Sequence, residues 1–114
     1  MLSMDNGKTI FDHVALEVND INGTVDLFRD VFGFSIEKYA GNLDCPQKVW
    51  FRENLQLNKT DSVIVKKGGF FNHLALKVSN KDKVIEDLLK HSGKQTSDGP
   101  NWILMPDGLY FEIL

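Results

Sequence analysis

Apolar and polar residues alternate in two nearly identical stretches of the chain. The stretches FDHVALEV at 11–18 and FNHLALKV at 71–78 carry Phe, His, Ala, Leu and Val in the same slots, at a constant offset of 60 positions. An apolar residue at every second position predicts a strand with one buried face. The histidine of each copy, His13 or His73, is then expected on the face opposite the apolar stripe.

A helical pattern follows each of these strands. Apolar residues spaced for one helix face predict a helix over 21–32, and Gly33 follows it where a left-handed C-cap residue is favoured. The second helix is predicted over 81–91 and is followed by Gly93, again 60 positions after its counterpart. The repeat therefore continues through the strand, the helix and the end of the helix.

The remaining patterns complete two β-α-β-β-β modules in one domain over 1–114. The expected fold class is α+β, with curled mixed sheets that enclose a shared cleft. Module one is expected at about 11–66 and module two at about 70–114, with a linker at 66–69 after a polar lead-in at 1–10. Strands are predicted at 34–39, 48–52, 55–58, 102–105 and 109–114, and a short apolar run lies at 63–65. Loops are predicted at 40–47 and 96–100, and turns at 53–54 and 106–108.

Strand alternation also predicts which polar side chains face the cleft. In the last strand the apolar set is expected under the helices, so Glu112 faces the other way, and in 55–58 the same argument applies to Gln56 and Asn58. His13, His73, Glu112 and one of these two amides would then converge. Two imidazoles and a carboxylate on rigid strands are typical of a divalent-metal site. The alternative is structural, because a single strand histidine or a glutamate near a terminus is more often a hydrogen-bonded or solvated residue.

Composition narrows the class of protein. The chain has 114 residues, 42% hydrophobic and 25% charged, which is ordinary for one globular domain. A net charge of −3 argues against a nucleic-acid partner, and no apolar run or N-terminal pattern indicates a membrane span or a signal peptide, so cytoplasmic localisation is predicted. The single cysteine, Cys45, is read as an incidental thiol, and His91 as a structural residue at the end of a helix.

Three stretches resemble the vicinal oxygen chelate superfamily. They are DHVALEVND at 12–20, LFRDVFGF at 27–34 and PDGLYFEI at 106–113. This superfamily contains glyoxalase I, methylmalonyl-CoA epimerase, extradiol dioxygenases, fosfomycin-resistance enzymes and bleomycin-resistance proteins. The resemblance covers nearly the whole chain from Phe11 onward. It implies paired modules whose sheets form a cleft that is often completed in a dimer.

The resemblance also implies a set of metal ligands. His13 corresponds to the first-strand ligand of module one, His73 to its equivalent in module two, and Glu112 to the closing carboxylate. The fourth position is filled by Gln56 if the Leu-x-Leu patterns are matched, or by Asn58 if the hairpins are aligned through their turns. Glyoxalase I usually has a glutamate there. The expected cofactor is a divalent ion, either Ni, Zn, Mn, Co or Fe.

The predicted function is that of a divalent-metal-dependent, glyoxalase-like lyase or isomerase acting on a small oxygen-chelating substrate, with Glu112 also moving a proton. One alternative is a non-haem Fe(II) ring-cleaving dioxygenase, and another is a metal-free small-molecule or antibiotic-binding protein of the bleomycin-resistance type. The candidate cleft-lining residues are Trp50, Arg52, Trp102 and Tyr110. A homodimer is expected because two small modules leave sheet edges exposed.

Overall fold

Two four-stranded mixed sheets, each with its own helix, make up the fold in the computed structural model, which describes residues 11–62 and 72–114. The repeated β-α-β-β-β architecture is confirmed. The predicted lead-in at 1–10, the apolar run at 63–65 and the linker at 66–69 lie outside the described residues. The elements are β1 (Val14–Val18), α1 (Ile21–Asp26), a π-helical turn (Leu27–Val31), β2 (Ile36–Gly41), β3 (Pro46–Phe51), β4 (Leu55–Lys59), β5 (Leu74–Leu76), α2 (Lys81–Lys90), β6 (Lys94–Thr96), β7 (Gly99–Leu104) and β8 (Tyr110–Ile113).

The two sheets have the same strand order. In sheet one the order is β1-β4-β3-β2, and in sheet two it is β5-β8-β7-β6. In both, the first strand of the module pairs in parallel with the last, and the other pairs are antiparallel. The sheets are separate in the described residues rather than closed into one barrel. Within the same residues, no helix is long and apolar enough to cross a membrane.

The helix of module one begins at a side-chain cap and ends in a wider turn. Asp20 accepts a hydrogen bond from the backbone N–H of Gly23 at 3.0 Å. The π-helical turn follows, and the N–H of Phe34 donates to the carbonyl of Phe28 at 2.9 Å. Gly33 has the predicted left-handed conformation, with φ +74°. The π-helical turn was not predicted, because over five residues the apolar spacing does not separate it from an α-helix.

The helix of module two ends differently although its sequence pattern is the same. Asn80 caps α2, accepting from the N–H of Lys83 at 3.2 Å. The left-handed residue after this helix is Ser92, with φ 72°, and not Gly93. A Cβ on Gly93 would lie 2.6 Å from Cγ2 of Ile103, so this glycine is needed for close packing. The two aligned glycines therefore serve different purposes.

Two predicted loops are shorter than expected. β2 reaches Gly41 and β3 begins at Pro46, which shortens the loop predicted at 40–47. β6 and β7 occupy most of 94–104, so the loop predicted at 96–100 is wrong except for a tight turn. β6 is short and polar and has no apolar alternation. It is an edge strand that is held by backbone pairing with β7, so it does not need an apolar face.

An aromatic cluster joins the two modules. Phe111 of β8 and Phe28 of the π-helical turn are both 0% exposed, and their ring centroids are 5.9 Å apart. Phe32 lies 5.2 Å from Phe111, and Phe28 also contacts Phe51 of β3 at 5.8 Å. Three of these four rings belong to module one and Phe111 to module two. The modules are therefore packed through the faces that carry the helices.

The fold predicts a large penalty for truncating the ring that joins the modules. We expect Phe111→Ala to lower the free energy of unfolding by about 3–5 kcal/mol, because it leaves a cavity and removes the contacts with Phe28 and Phe32. Chemical denaturation measures this, with Phe11→Ala as control, because Phe11 is 66% exposed and its loss should change stability by less than about 0.5 kcal/mol. Equal stabilities for the two variants would contradict the proposed packing.

Candidate functional site

The face of each sheet away from its helix carries the predicted site residues, and we call it the open face. Alternation in β8 is as predicted: Leu109, Phe111 and Ile113 are buried with the core, while Tyr110 and Glu112 lie on the open face. Within this face the strand register relates the modules. The cross-strand neighbours are Ala15 and Trp50 for Gln56, and Ala75 and Trp102 for Glu112.

Gln56 is therefore the structural counterpart of Glu112. Asn58, the alternative from the turn-based alignment, lies opposite Glu17 and Lys48 instead. Gln56 is only 7% exposed, less than its place on an open face suggests, because β4 is a central strand with neighbours on both sides. Its amide Nε2 donates to Oδ1 of Asn58 at 2.7 Å.

The closest pair of predicted site residues is His73 with Glu112. Nε2 of His73 lies 3.4 Å from Oε1 of Glu112, and the two side chains are 30% and 24% exposed. Nδ1 of His73 lies 2.7 Å from Oδ1 of Asn72. Because this amide oxygen accepts, Nδ1 carries the proton in the neutral imidazole and Nε2 presents its lone pair toward Glu112.

His13 is oriented in the same way. Its Nδ1 lies 2.6 Å from Oδ2 of Asp12, the residue directly before it in the chain. The carboxylate accepts, so in the neutral imidazole of His13 the nitrogen with a lone pair is again Nε2. Each histidine thus has a hydrogen-bond acceptor at the preceding position, Asp12 in one copy and Asn72 in the other. This supporting contact is present in the sequence but was not recognised there.

A polar cavity lies beside His13 in module one. It has a volume of about 360 Å³, and its lining includes His13, Trp50 and Arg52. Nζ of Lys38 lies 4.9 Å from the centroid of the Trp50 ring, a cation–π contact. Two of the four predicted cleft residues, Trp50 and Arg52, therefore accompany the module-one histidine.

An aromatic row lies beside His73 in module two. The Trp102 ring meets His73 nearly edge-on, with centroids 4.7 Å apart, and lies 5.3 Å from the ring of Tyr110. The Tyr110 hydroxyl donates to the carboxylate of Asp98 and also contacts the hydroxyl of Thr96. Burial raises the pKa of Tyr110, and the hydrogen bond with Asp98 raises it further, so the phenol is protonated at neutral pH. Asp98 and Thr96 were missed because they lie in a stretch predicted as a loop.

The site residues thus form two groups within one chain. His73, Glu112, Trp102 and Tyr110 lie together, while His13, Trp50 and Arg52 lie around the module-one cavity. Over 11–62 and 72–114, no three His, Cys, Asp or Glu side chains are grouped closely enough to hold a metal ion. The predicted convergence of His13 with both His73 and Glu112 is therefore not formed within the described chain. His91 is the C-cap residue of α2 and lines a different pocket.

Comparison with solved structures places this arrangement among known folds. The trypanothione-dependent glyoxalase I of Leishmania major is 17% identical, with a TM-score of 0.70 over 94% of this chain and 86% of that one. The fosfomycin resistance protein FosX of Listeria monocytogenes is 16% identical, with a TM-score of 0.67 over 93% and 90%. A possible glyoxalase from Bacillus cereus is 15% identical, with a TM-score of 0.66 over 94% and 99%.

One FosX structure was solved as a complex with Mn(II) and 1S,2S-dihydroxypropylphosphonic acid, and it matches with a TM-score of 0.66 at 17% identity, over 92% of this chain and 90% of that one. No family model and no curated protein matches the sequence. At these identities the likeness concerns the fold. The chain therefore shares the fold of these proteins over more than nine-tenths of its length.

Proposed function

We propose that the protein is a divalent-metal-dependent, glyoxalase-like enzyme of the lyase or isomerase type that acts on a small oxygen-chelating substrate. The observation that carries this proposal is the pairing of His73 with Glu112. When the His73 imidazole is neutral, the lone pair on Nε2 faces a carboxylate oxygen across 3.4 Å, so two acceptors meet on a partly solvent-exposed surface. Such a pair is stabilised by a cation shared between the two atoms.

The donor atoms fit a divalent metal ion. Imidazole and carboxylate groups bind Ni, Zn, Mn, Co and Fe. Two ligands that are each about 2.1 Å from an ion are separated by about 3.0–3.4 Å at octahedral or tetrahedral angles. The 3.4 Å separation of Nε2 and Oε1 agrees with this requirement. The hydrogen bond from Nδ1 of His73 to Asn72 supplies the outer contact that ligating histidines commonly have.

A second copy of the chain would complete the ligand set. The modules of one chain pack through their helix-covered faces, because Phe111 contacts Phe28 and Phe32 there. Among the described residues, both open faces therefore lie away from the contact between the modules. In the proposed homodimer, His13 and Gln56 of one copy face His73 and Glu112 of the other.

The residues of this site have separable roles. A bound divalent ion would polarise a carbonyl or enediolate oxygen, or lower the pKa of a bound water to about 7. Glu112 is the only carboxylate in the set, and it would accept a proton from the substrate carbon and return it to the neighbouring one. The residues that would line the cleft are Trp50, Arg52, Trp102 and Tyr110.

One observation favours a second candidate function. Gln56 is only 7% exposed, and a ligand set without this buried amide consists of His13, His73 and Glu112. Two histidines and one carboxylate suit non-haem Fe(II) and oxygen chemistry. A ring-cleaving dioxygenase is therefore the alternative within this site. A metal-free binding protein is the alternative outside it.

Metal binding tests the proposal directly. The metal-stripped chain should bind Ni²⁺, Co²⁺, Mn²⁺, Zn²⁺ or anaerobic Fe²⁺, and we expect His73→Ala and Glu112→Ala each to weaken binding by at least about 100-fold, since each removes a ligand. Isothermal titration and elemental analysis measure this. The matched control is His91→Ala, which removes a histidine from the end of α2 and should leave affinity unchanged.

The outcome also separates the candidate functions. An optimum with Ni²⁺, Co²⁺ or Mn²⁺ is expected for the lyase or isomerase, whereas a requirement for Fe²⁺ with consumption of oxygen would favour the dioxygenase. A chain that binds none of the five ions would rule out both enzymes and leave the metal-free binder.

Complementation between variants tests whether two copies share each site. We expect His13→Ala and His73→Ala homodimers to lose metal binding. A heterodimer purified with two different tags would contain one site lacking both histidines and one intact site. Its metal content should therefore recover to half that of the unmodified dimer. If each chain supplied both histidines of its own site, the heterodimer would bind no metal.

A further inference from the structure

The position of Trp102 is fixed from two sides. His73 lies against one side of its indole ring, at 4.7 Å between centroids, and Tyr110 lies 5.3 Å away on β8. Trp102 pairs across strands with Glu112, so the indole stands directly beside the His73–Glu112 pair. The indole therefore limits the imidazole on one side.

Tyr110 is in turn fixed through its hydroxyl group. The phenol donates to the carboxylate of Asp98, on the turn between β6 and β7, and contacts the hydroxyl of Thr96 at the end of β6. Thr96 belongs to the same sheet as Trp102, and Asp98 lies directly before β7, the strand that carries Trp102. The hydroxyl is thus engaged within the protein, which argues against its use as the principal hydrogen-bond donor to a substrate.

We propose that Tyr110, held by Asp98 and Thr96, is a positioning residue that keeps Trp102 against His73 and thereby fixes the direction of the His73 imidazole at Glu112. The orientation of His73 does not depend on the proposed function. The expected effect on metal binding does rest on it. The chain of contacts runs from the β6–β7 turn to the histidine and consists entirely of described side chains.

Module one indicates that the fold does not need the contacts that Tyr110 makes with Asp98 and Trp102. Tyr110 lies two residues before Glu112, and the corresponding residue two before Gln56 is Asn54, at a turn with φ 68°. Trp50, the counterpart of Trp102, is contacted by Lys38 instead. The same four-stranded sheet is therefore built without a tyrosine–carboxylate pair. Its presence in module two coincides with the pairing of a histidine and a carboxylate.

Tyr110→Phe and Asp98→Asn test the contact while keeping the size of each side chain. In the metal-free protein at alkaline pH, nitrogen NMR of the histidine side chains should show His73 as the tautomer protonated at Nδ1. We expect both variants to broaden this signal or mix its tautomers, because Trp102 no longer holds the ring. The matched control is Tyr39→Phe, since Tyr39 is exposed on the helix-covered side of sheet one and should leave the His73 signal unchanged.

Ni²⁺ affinity provides the second measurement. We expect Tyr110→Phe to raise the Kd for Ni²⁺ about 10-fold, the usual scale for loss of an outer contact, with Asp98→Asn similar and the double variant no worse than either. Tyr39→Phe should leave the Kd within about twofold of the unmodified chain.

Each outcome of these measurements decides a separate point. An unchanged His73 signal in Tyr110→Phe or in Asp98→Asn would overturn the inference whatever the metal affinity. An altered signal in both variants, in a chain that binds no Ni²⁺, would keep the positioning role and overturn the proposed function. An altered signal with an unchanged Kd would refute the consequence for metal binding.

Discussion

The packing of Phe111 against Phe28 and Phe32 determines which face of each sheet is buried and which is open. These rings bring the helix-covered faces of the modules together within a core whose buried residues are mostly apolar. Since a strand directs alternate side chains to opposite faces, burial of Phe111 places its neighbours Tyr110 and Glu112 outward. The open faces are therefore a consequence of core packing and need no separate explanation.

The duplication has kept the backbone positions of the two modules and changed the chemistry at them. The retained features are a histidine before the first strand, an acceptor before that histidine and a tryptophan beside the closing residue. The changed features are the closing residue itself, Gln56 or Glu112, and the contact on the tryptophan, Lys38 or Tyr110. Module two thus has a carboxylate at the closing position, while the cavity of module one has charged groups of both signs.

The sequence was sufficient for properties that depend on local geometry. Alternation predicted the buried and open faces of β8, and the constant offset predicted the repeated module, because both depend only on the direction of successive side chains. The match of Gln56 to Glu112 was one of two alternatives, and the register of β4 with β1 and β3 was needed to decide it.

The features that the sequence did not predict depend on contacts between residues that are distant in the chain. The π-helical turn follows apolar spacing that also fits an α-helix, and β6 has no apolar face that would identify it as a strand. The separation of His13 from the His73–Glu112 pair depends on which faces of the two modules pack together. Strand alternation does not determine which faces these are. Asp98 was missed for the same reason, since its contact with Tyr110 joins residues 12 positions apart.

The difference between Gln56 and Glu112 has an electrostatic consequence for the proposed site. Two neutral imidazoles, one amide and one carboxylate would leave a divalent ion with a residual charge of about +1, whereas a second carboxylate would neutralise it. The cavity next to His13 includes Lys38 and Arg52, although Asp12 and Glu37 lie there too. A site with this charge stabilises an oxygen that becomes negative during reaction more than a neutral site does. The glutamine is therefore compatible with enediolate chemistry, and the full negative charge needed to accept a proton is concentrated on Glu112.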